Sequence, residues 1–144
     1  MPSAIRKKSY GSVTIYSVDK ELVTQALNGF VAACRQRPEV LAVVLFGSFA
    51  GNWFGVGSDV DILIILEDSP LPFLHRLPLY QPASFPLDVD VFPYTWKEVQ
   101  AGQAVAREAL STGRVLWQRE GVDLTSSFEP AWNGEGQRPS PRSR

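Results

Sequence analysis

Residues 40–66, VLAVVLFGSFAGNWFGVGSDVDILIIL, decide the fold of this chain. Segments 40–46 and 59–66 are short, rich in Val, Ile and Leu, and bounded by Gly, Asn or Ser, which is typical of buried strands. The glycine-rich residues 47–58 between them predict a tight loop with room for a group of phosphate size. We therefore expect two core strands joined at a ligand-sized loop, with the rest of the chain supporting them.

Composition limits the class of protein. The chain has 144 residues, of which 44% are hydrophobic and 20% charged, so we expect one folded domain. A formal net charge of -1 predicts no broad basic surface and disfavours nucleic acid as a partner. The single cysteine, Cys34, excludes an intrachain disulfide and is interpreted as a small buried hydrophobe. No apolar run approaches the length of a membrane span, so we predict a cytoplasmic protein.

The segments before the first core strand predict one strand and one helix. Residues 1–9 are polar and expected to fray, whereas residues 12–16 are β-branched and aromatic and predict a short edge strand. From Asp19 the apolar residues recur at helical spacing, with Ser17 or Asp19 as the N-cap and Pro38 as the stop. This helix is expected to pack on the sheet.

The segments after the second core strand predict a third strand and two short helices. Residues 67–86 are rich in proline and predict a loop with one helical turn, and residues 87–92 alternate as in a strand that Pro93 ends. Thr95 and Glu98 have the spacing of a capping box. The following residues predict a helix over 103–110, a cap at Gly113, and a last short strand or turn over 114–117. Residues 1–120 are thus predicted to form the domain, and residues 121–144 a flexible polar tail.

Asp59 and Asp61 are the first candidates for chemistry. They are two residues apart on a predicted strand, so their side chains share one face at the point where the strand enters the core. Two carboxylates in a partly desolvated place repel each other, and a cation between them relieves the repulsion. The sequence therefore predicts a site for a hard divalent cation, Mg²⁺ first. Taken alone, Asp-x-Asp is also a common feature of strand ends and turns.

The third predicted strand repeats this arrangement with Asp88 and Asp90. If it lies beside segment 59–66, one of these two aspartates completes a cluster of three carboxylates. Such a cluster holds two metal ions in phosphoryl and nucleotidyl transfer. Alternation alone does not choose between Asp88 and Asp90.

Gly47 and Ser48 follow the first core strand. Gly47 lets the backbone turn and approach a ligand closely, and a helix beginning at Ser48 would direct free N–H groups and a hydroxyl towards phosphates. In such a site an acceptor, deprotonated by the third carboxylate, would attack the α-phosphorus in line and pyrophosphate would leave.

With these residues the sequence resembles the DNA polymerase beta-like nucleotidyltransferases, and most of all the small members called minimal nucleotidyltransferases. The resemblance is carried by LFGSFA at 45–50, GSDVDILI at 57–64 and VDVFPYT at 89–95, and it covers roughly residues 17–117. It implies an α+β fold, in which a mixed β-sheet is flanked by helices.

The resemblance also implies roles for individual residues. Asp59, Asp61 and Asp90 would be metal ligands and catalytic residues, with Asp88 as the competitor of Asp90. Gly47, Ser48 and Ser58 would bind the nucleoside triphosphate. The sequence departs from the family at Phe49 and Gly51, where relatives often carry basic residues; Lys97 or Arg107 are the candidates to compensate.

The leading interpretation is a Mg²⁺- or Mn²⁺-dependent enzyme that moves AMP from ATP onto an acceptor. The acceptor could be a protein, as in antitoxin members of the family that pair with helical HEPN proteins. Loop 69–86 and the aromatic pair Trp53-Phe54 are the expected contact surface for such a partner or for a second copy. The alternative is that these residues fold back on the core. The alternatives are a nucleotide-binding partner subunit with weak or no catalysis, and a small α/β domain of unrelated role.

Overall fold

The computed structural model describes residues 5–10, 13–47 and 60–124. Its helices and strands, in chain order, are β1 (Ile5–Tyr10), β2 (Val13–Val18), α1 (Lys20–Arg35), β3 (Val40–Phe46), β4 (Val60–Leu66), α2 (Phe73–Tyr80), β5 (Val89–Thr95), α3 (Trp96–Gln100), α4 (Ala104–Thr112) and β6 (Arg114–Gln118).

A four-stranded mixed sheet forms the centre of the described structure. Its strand order is β5-β4-β3-β6; β4 and β5 are parallel, and β3 is antiparallel to both β4 and β6. The hairpin of β1 and β2 forms a separate two-stranded sheet. The predicted α+β fold with a mixed sheet and flanking helices is therefore confirmed.

The sheet is buried on both faces. Helix α1 covers one face with Val23, Leu27, Phe30 and Cys34, and side chains of α3 and α4 cover the other. Along β4, Ile62 and Ile64 pack into the first core and Leu63 and Ile65 into the second. This explains why β4 is continuously apolar after Asp61, since a strand between two cores has no solvent face.

The N-terminal end of α1 forms as expected. The Asp19 carboxylate accepts a hydrogen bond from the Leu22 N–H at 3.2 Å, which identifies Asp19 as the N-cap.

Cys34 is 4% exposed, and burial raises the pKa of its thiol to about 11. The interpretation of Cys34 as a structural residue is consistent with this environment, because an inert cysteine is protonated and inaccessible.

The N-terminal segment was expected to fray, and this prediction is wrong for residues 5–9. They form most of β1, which pairs antiparallel with β2 from Ile5 opposite Val18 to Tyr10 opposite Val13. A polar segment shows little strand character by itself, and its pairing supplies the order that its composition does not indicate.

Pro93 does not end the third strand as predicted. Strand β5 continues through Pro93 to Thr95, because β5 is an edge strand and the missing N–H of Pro93 faces away from β4. On that outer side the Pro93 carbonyl accepts a hydrogen bond from Arg76 of α2 at 3.1 Å. The predicted capping box is present, with Thr95 and Glu98 each bonding the other's backbone N–H.

The predicted single helical turn is instead the eight-residue helix α2, which contains Pro78. The buried Arg76 guanidinium holds this helix against β5 and α3: it also donates to the Leu71 carbonyl at 2.8 Å and to both Glu98 carboxylate oxygens at 2.8 and 3.1 Å. Tertiary hydrogen bonds therefore offset the cost of a proline within a short helix.

The C-terminal part of the described chain packs on the second core, where Leu124 is buried. The rest of the predicted tail lies outside the described residues, and the division at residue 120 stays a prediction. Among the described residues, no helix combines the length and apolarity needed to cross a bilayer.

Candidate active site

Asp61 and Asp90 lie side by side near the N-terminal ends of β4 and β5. In the parallel pair of β4 and β5 they are Cα partners, and Phe46 of β3 is the partner of Asp61 on the other side. Cross-strand partners point to the same face and neighbouring strands are about 4.8 Å apart, so the two carboxylates share one small region. Asp90 is exposed and Asp61 half-buried, which leaves the pair accessible to a ligand.

An aromatic contact packs next to this pair, on the same face of the sheet and towards the core. Phe46 lies on β3 and Phe92 on β5, and their rings meet at a centroid distance of 5.7 Å and an angle of 53°. Since β4 runs between these strands, the contact crosses β4 next to Asp61. The sequence analysis did not identify the two phenylalanines, because only the register between strands brings them together.

Gly47 makes room for the Asp61 carboxylate. Its φ is +81°, a conformation that favours glycine. A Cβ atom at this position would collide with Asp61 Oδ2 and lie 3.1 Å from Asp61 Cγ. The sequence analysis predicted a close approach of Gly47 to a ligand; within the described residues its close neighbour is the aspartate itself.

A second glycine, Gly113, brings the junction of α4 and β6 close to the C-terminal end of β3, next to the aspartates. A Cβ atom at Gly113 would lie 2.6 Å from the Leu45 carbonyl oxygen, 3.0 Å from Phe46 Cβ, and against the Ala109 carbonyl oxygen. The backbone N–H of Gly113 bonds Ala109, so the predicted role as helix cap is confirmed. The close packing against β3 is an additional role that local sequence does not reveal.

Asp88 lies two residues before Asp90 in the sequence. It precedes β5 and is exposed, and its backbone carbonyl accepts from the Val60 N–H at 3.0 Å. The structure thus places Asp90, and not Asp88, opposite Asp61. This register is the information that alternation alone could not supply.

The remaining predicted site residues, Ser48, Ser58 and Asp59, lie outside the described residues, as do Trp53 and Phe54. Within residues 5–10, 13–47 and 60–124, no group of three or more His, Cys, Asp or Glu side chains is arranged to hold a metal. A cluster of three carboxylates beside Asp61 and Asp90 would need Asp59.

The two cations expected to compensate for Phe49 and Gly51 lie towards the other end of the strands. From Asp90 to Thr95 the strand spans about 16 Å, and Lys97 follows that far end in α3. Arg107 belongs to the start of α4, where Gln103 bonds the Tyr94 hydroxyl at 2.9 Å. These positions do not bring Lys97 or Arg107 to the aspartate pair.

Comparison with known proteins adds family and fold. A family model described as Polymerase beta, Nucleotidyltransferase matches residues 30–121, more than half of the chain. The chain is also similar to a solved structure from Sulfolobus solfataricus that carries a provisional description as a nucleotidyltransferase, at 19% identity and a TM-score of 0.50. That match covers 71% of this chain and 85% of the other, and at this identity it shows the fold. No protein of curated function matches the sequence.

Proposed function

The chain belongs to the polymerase beta family of nucleotidyltransferases, and on that premise we propose that it transfers a nucleoside monophosphate, AMP from ATP, onto an acceptor. The observation that carries the proposal is the alignment of Asp61 with Asp90 on adjacent strands, with Gly47 packed against the Asp61 carboxylate. This arrangement is what a carboxylate-based transfer site requires, and it lies within the region that the family model matches.

The donor set fits a hard divalent cation. Asp61 and Asp90 offer two carboxylates from one face, and the absence of a side chain at Gly47 lets the Asp61 carboxylate take its position. Asp59, two residues before Asp61, is the proposed third ligand. Bound there, Mg²⁺ or Mn²⁺ would neutralise phosphate charge and polarise the phosphorus–oxygen bonds.

The protein groups have the following proposed tasks. Asp90, the more exposed of the pair, accepts the proton of the acceptor hydroxyl, and Asp61 would hold the cation that orients the triphosphate. Gly47, Ser48 and Ser58 bind the phosphates. Positioning of the acceptor in line with the α-phosphorus supplies a large part of the rate, and pyrophosphate is the leaving group.

The proposed acceptor is a side chain of a partner protein, with a HEPN-like helical protein as the first candidate. The test incubates the chain and Mg²⁺ with ATP labelled at either the α- or the γ-phosphate, together with extract of the native source. We expect label on a protein from α-labelled ATP that is lost when Asp61→Asn replaces the chain. Label from γ-labelled ATP that requires the added chain would identify a kinase and contradict the proposal.

One observation favours a second function: Lys97 and Arg107 lie towards the end of the strands that is opposite the aspartates. With fewer cations at the phosphates, the chain would bind a nucleotide and act as a partner subunit with weak or no catalysis. Nucleotide binding that depends on Asp61, without release of pyrophosphate, would distinguish this function from the first.

A further inference from the structure

Helix α2 has its charged residue on the inside and its leucines on the outside. Arg76 is 4% exposed, whereas Leu74 is 72% and Leu79 47% exposed. His75 and Pro78 are also exposed and complete the outer face. A surface helix normally has the reverse pattern, and an apolar outer face of this kind indicates a contact surface.

The outer face cannot be buried by a rotation of the helix within the same chain. Arg76 is held by hydrogen bonds to Leu71, Pro93 and Glu98, and at the end of α2 the Tyr80 hydroxyl donates to the Glu39 carboxylate at 2.8 Å. These bonds fix the middle and the C-terminal end of the helix. Among the described residues, Leu74 and Leu79 therefore stay exposed to solvent.

A cavity opens at the C-terminal end of the same helix. Its volume is about 140 Å³ and it is open to solvent; Phe30, Cys34, Leu79, Tyr80 and Pro82 line it together with the polar residues Arg37 and Gln81. A volume of this order holds a group the size of benzene. The cavity can thus receive one aliphatic side chain, and an exposed leucine stands at the other end of the helix.

We propose that α2 is the contact surface between two copies of this chain, packed antiparallel about a two-fold axis. Leu74 of each copy then lies opposite Leu79 of the other and enters the cavity beside it. The same register sets His75 opposite Pro78, because both pairs are centred between Arg76 and Leu77. A two-fold contact requires such self-complementarity, and the outer face carries no Lys, Arg, Asp or Glu that would oppose its own copy.

The size and place of this contact determine its strength and its relation to the aspartates. Eight helical residues span about 12 Å, so the interface is at the small end of specific contacts and the dimer is concentration-dependent. Arg76 joins α2 to Pro93, about 10 Å along β5 from Asp90. The dimer leaves the aspartate pair open, and the proposal stands independently of the proposed function.

Sedimentation velocity over a wide range of concentrations tests the association. We expect the wild-type chain to dimerise and Leu74→Glu to raise the dissociation constant at least tenfold. Val115→Glu is the matched control, because Val115 is 44% exposed on β6 and should leave association unchanged. A wild-type chain that stays monomeric throughout would assign the α2 face to another protein and overturn the proposal, as would an unchanged dimer of Leu74→Glu.

Disulfide cross-linking tests the antiparallel register. Residues 74 and 79 are about 7.5 Å apart along one helix, too far for a bridge within one chain. Mild oxidation of the double variant Leu74→Cys/Leu79→Cys should therefore give a covalent dimer, whereas Leu74→Cys alone should give little. All variants carry Cys34→Ala, because Cys34 lines the cavity that residue 74 of the other copy enters and could otherwise form the bridge. Equal cross-linking by the single variant would overturn the antiparallel arrangement.

Discussion

Asp61 and Asp90 are direct partners in the parallel ladder between β4 and β5. Backbone hydrogen bonds therefore hold the two carboxylates on one face, about 4.8 Å apart at their Cα atoms, whatever the loop before β4 does. The pair is a property of the sheet, and each prediction on catalysis begins from it.

The first prediction concerns Asp61. Asp61→Asn should weaken binding of ATP with Mg²⁺ or Mn²⁺ at least tenfold, because one charged ligand of the cation is lost. Without metal and nucleotide the variant should keep the fold, because asparagine has the size and shape of aspartate. Calorimetric titration measures the binding and urea denaturation the stability. Metal-dependent ATP binding at wild-type strength would refute the assignment.

The second prediction compares Asp90 with Asp88. Both are exposed and share one face, but only Asp90 lies opposite Asp61. Asp90→Asn should abolish nucleotidyl transfer, and Asp88→Asn should only weaken it. Pyrophosphate release from ATP under equal conditions ranks the two variants. The reverse ranking would mean that Asp88 is the third carboxylate in the active state.

The third prediction concerns the space beside Asp61. Gly47→Ala places a methyl group against Asp61 Oδ2 at a φ of +81°, so the free energy of unfolding should fall by about 1–3 kcal/mol. Gly29→Ala is the matched control: this glycine is exposed in α1 with no neighbour within 4 Å, and alanine there should stabilise by about 0.5–1 kcal/mol. Equal stability of the two variants in denaturation would contradict this view of Gly47.

The fourth prediction concerns the carboxylate that anchors α2. Hydrogen bonds from Arg76 are the main cause that lowers the pKa of Glu98 below its ordinary value. A carboxylate with a lower pKa in the folded state stabilises the fold above its unfolded pKa, and this stability is lost as pH falls through the folded value. Glu98→Gln should therefore be less stable than the wild type at pH 7, and the difference should shrink below about pH 4.

Urea denaturation at a series of pH values measures this difference. Glu108→Gln, a change on the exposed part of α4, should alter the free energy of unfolding at pH 7 by no more than about 0.5 kcal/mol. A wild-type–variant difference for Glu98→Gln that does not change with pH would show that the ion pair with Arg76 does not carry the effect.

The parts of the fold that sequence predicts well are those set by local physics. Strands β3 and β4 are long apolar runs because both of their faces are buried, and the capping box of Thr95 and Glu98 needs only three residues of spacing. The Asp-x-Asp pattern and the alternation around Asp90 likewise identify the candidate carboxylates without any structure.

The parts that sequence missed depend on long-range contacts. Strand β1 is ordered by its pairing with β2, and Pro93 is tolerated because β5 lies at the sheet edge and Arg76 binds its carbonyl. The contact of Phe46 with Phe92 requires the register between strands, and so does the pairing of Asp61 with Asp90, which the family resemblance favoured but alternation alone did not choose. None of these is encoded in the spacing of one segment.

A double-mutant cycle on Asp61 and Asp90 tests the central claim most directly. The affinity for ATP with Mn²⁺ is measured for the wild type, Asp61→Asn, Asp90→Asn and the double variant. If the two carboxylates hold one metal–nucleotide complex together, the losses are not additive, and the double variant binds about as weakly as the worse single variant. Additive losses, or an Asp90→Asn variant that binds as tightly as the wild type, would contradict a shared site.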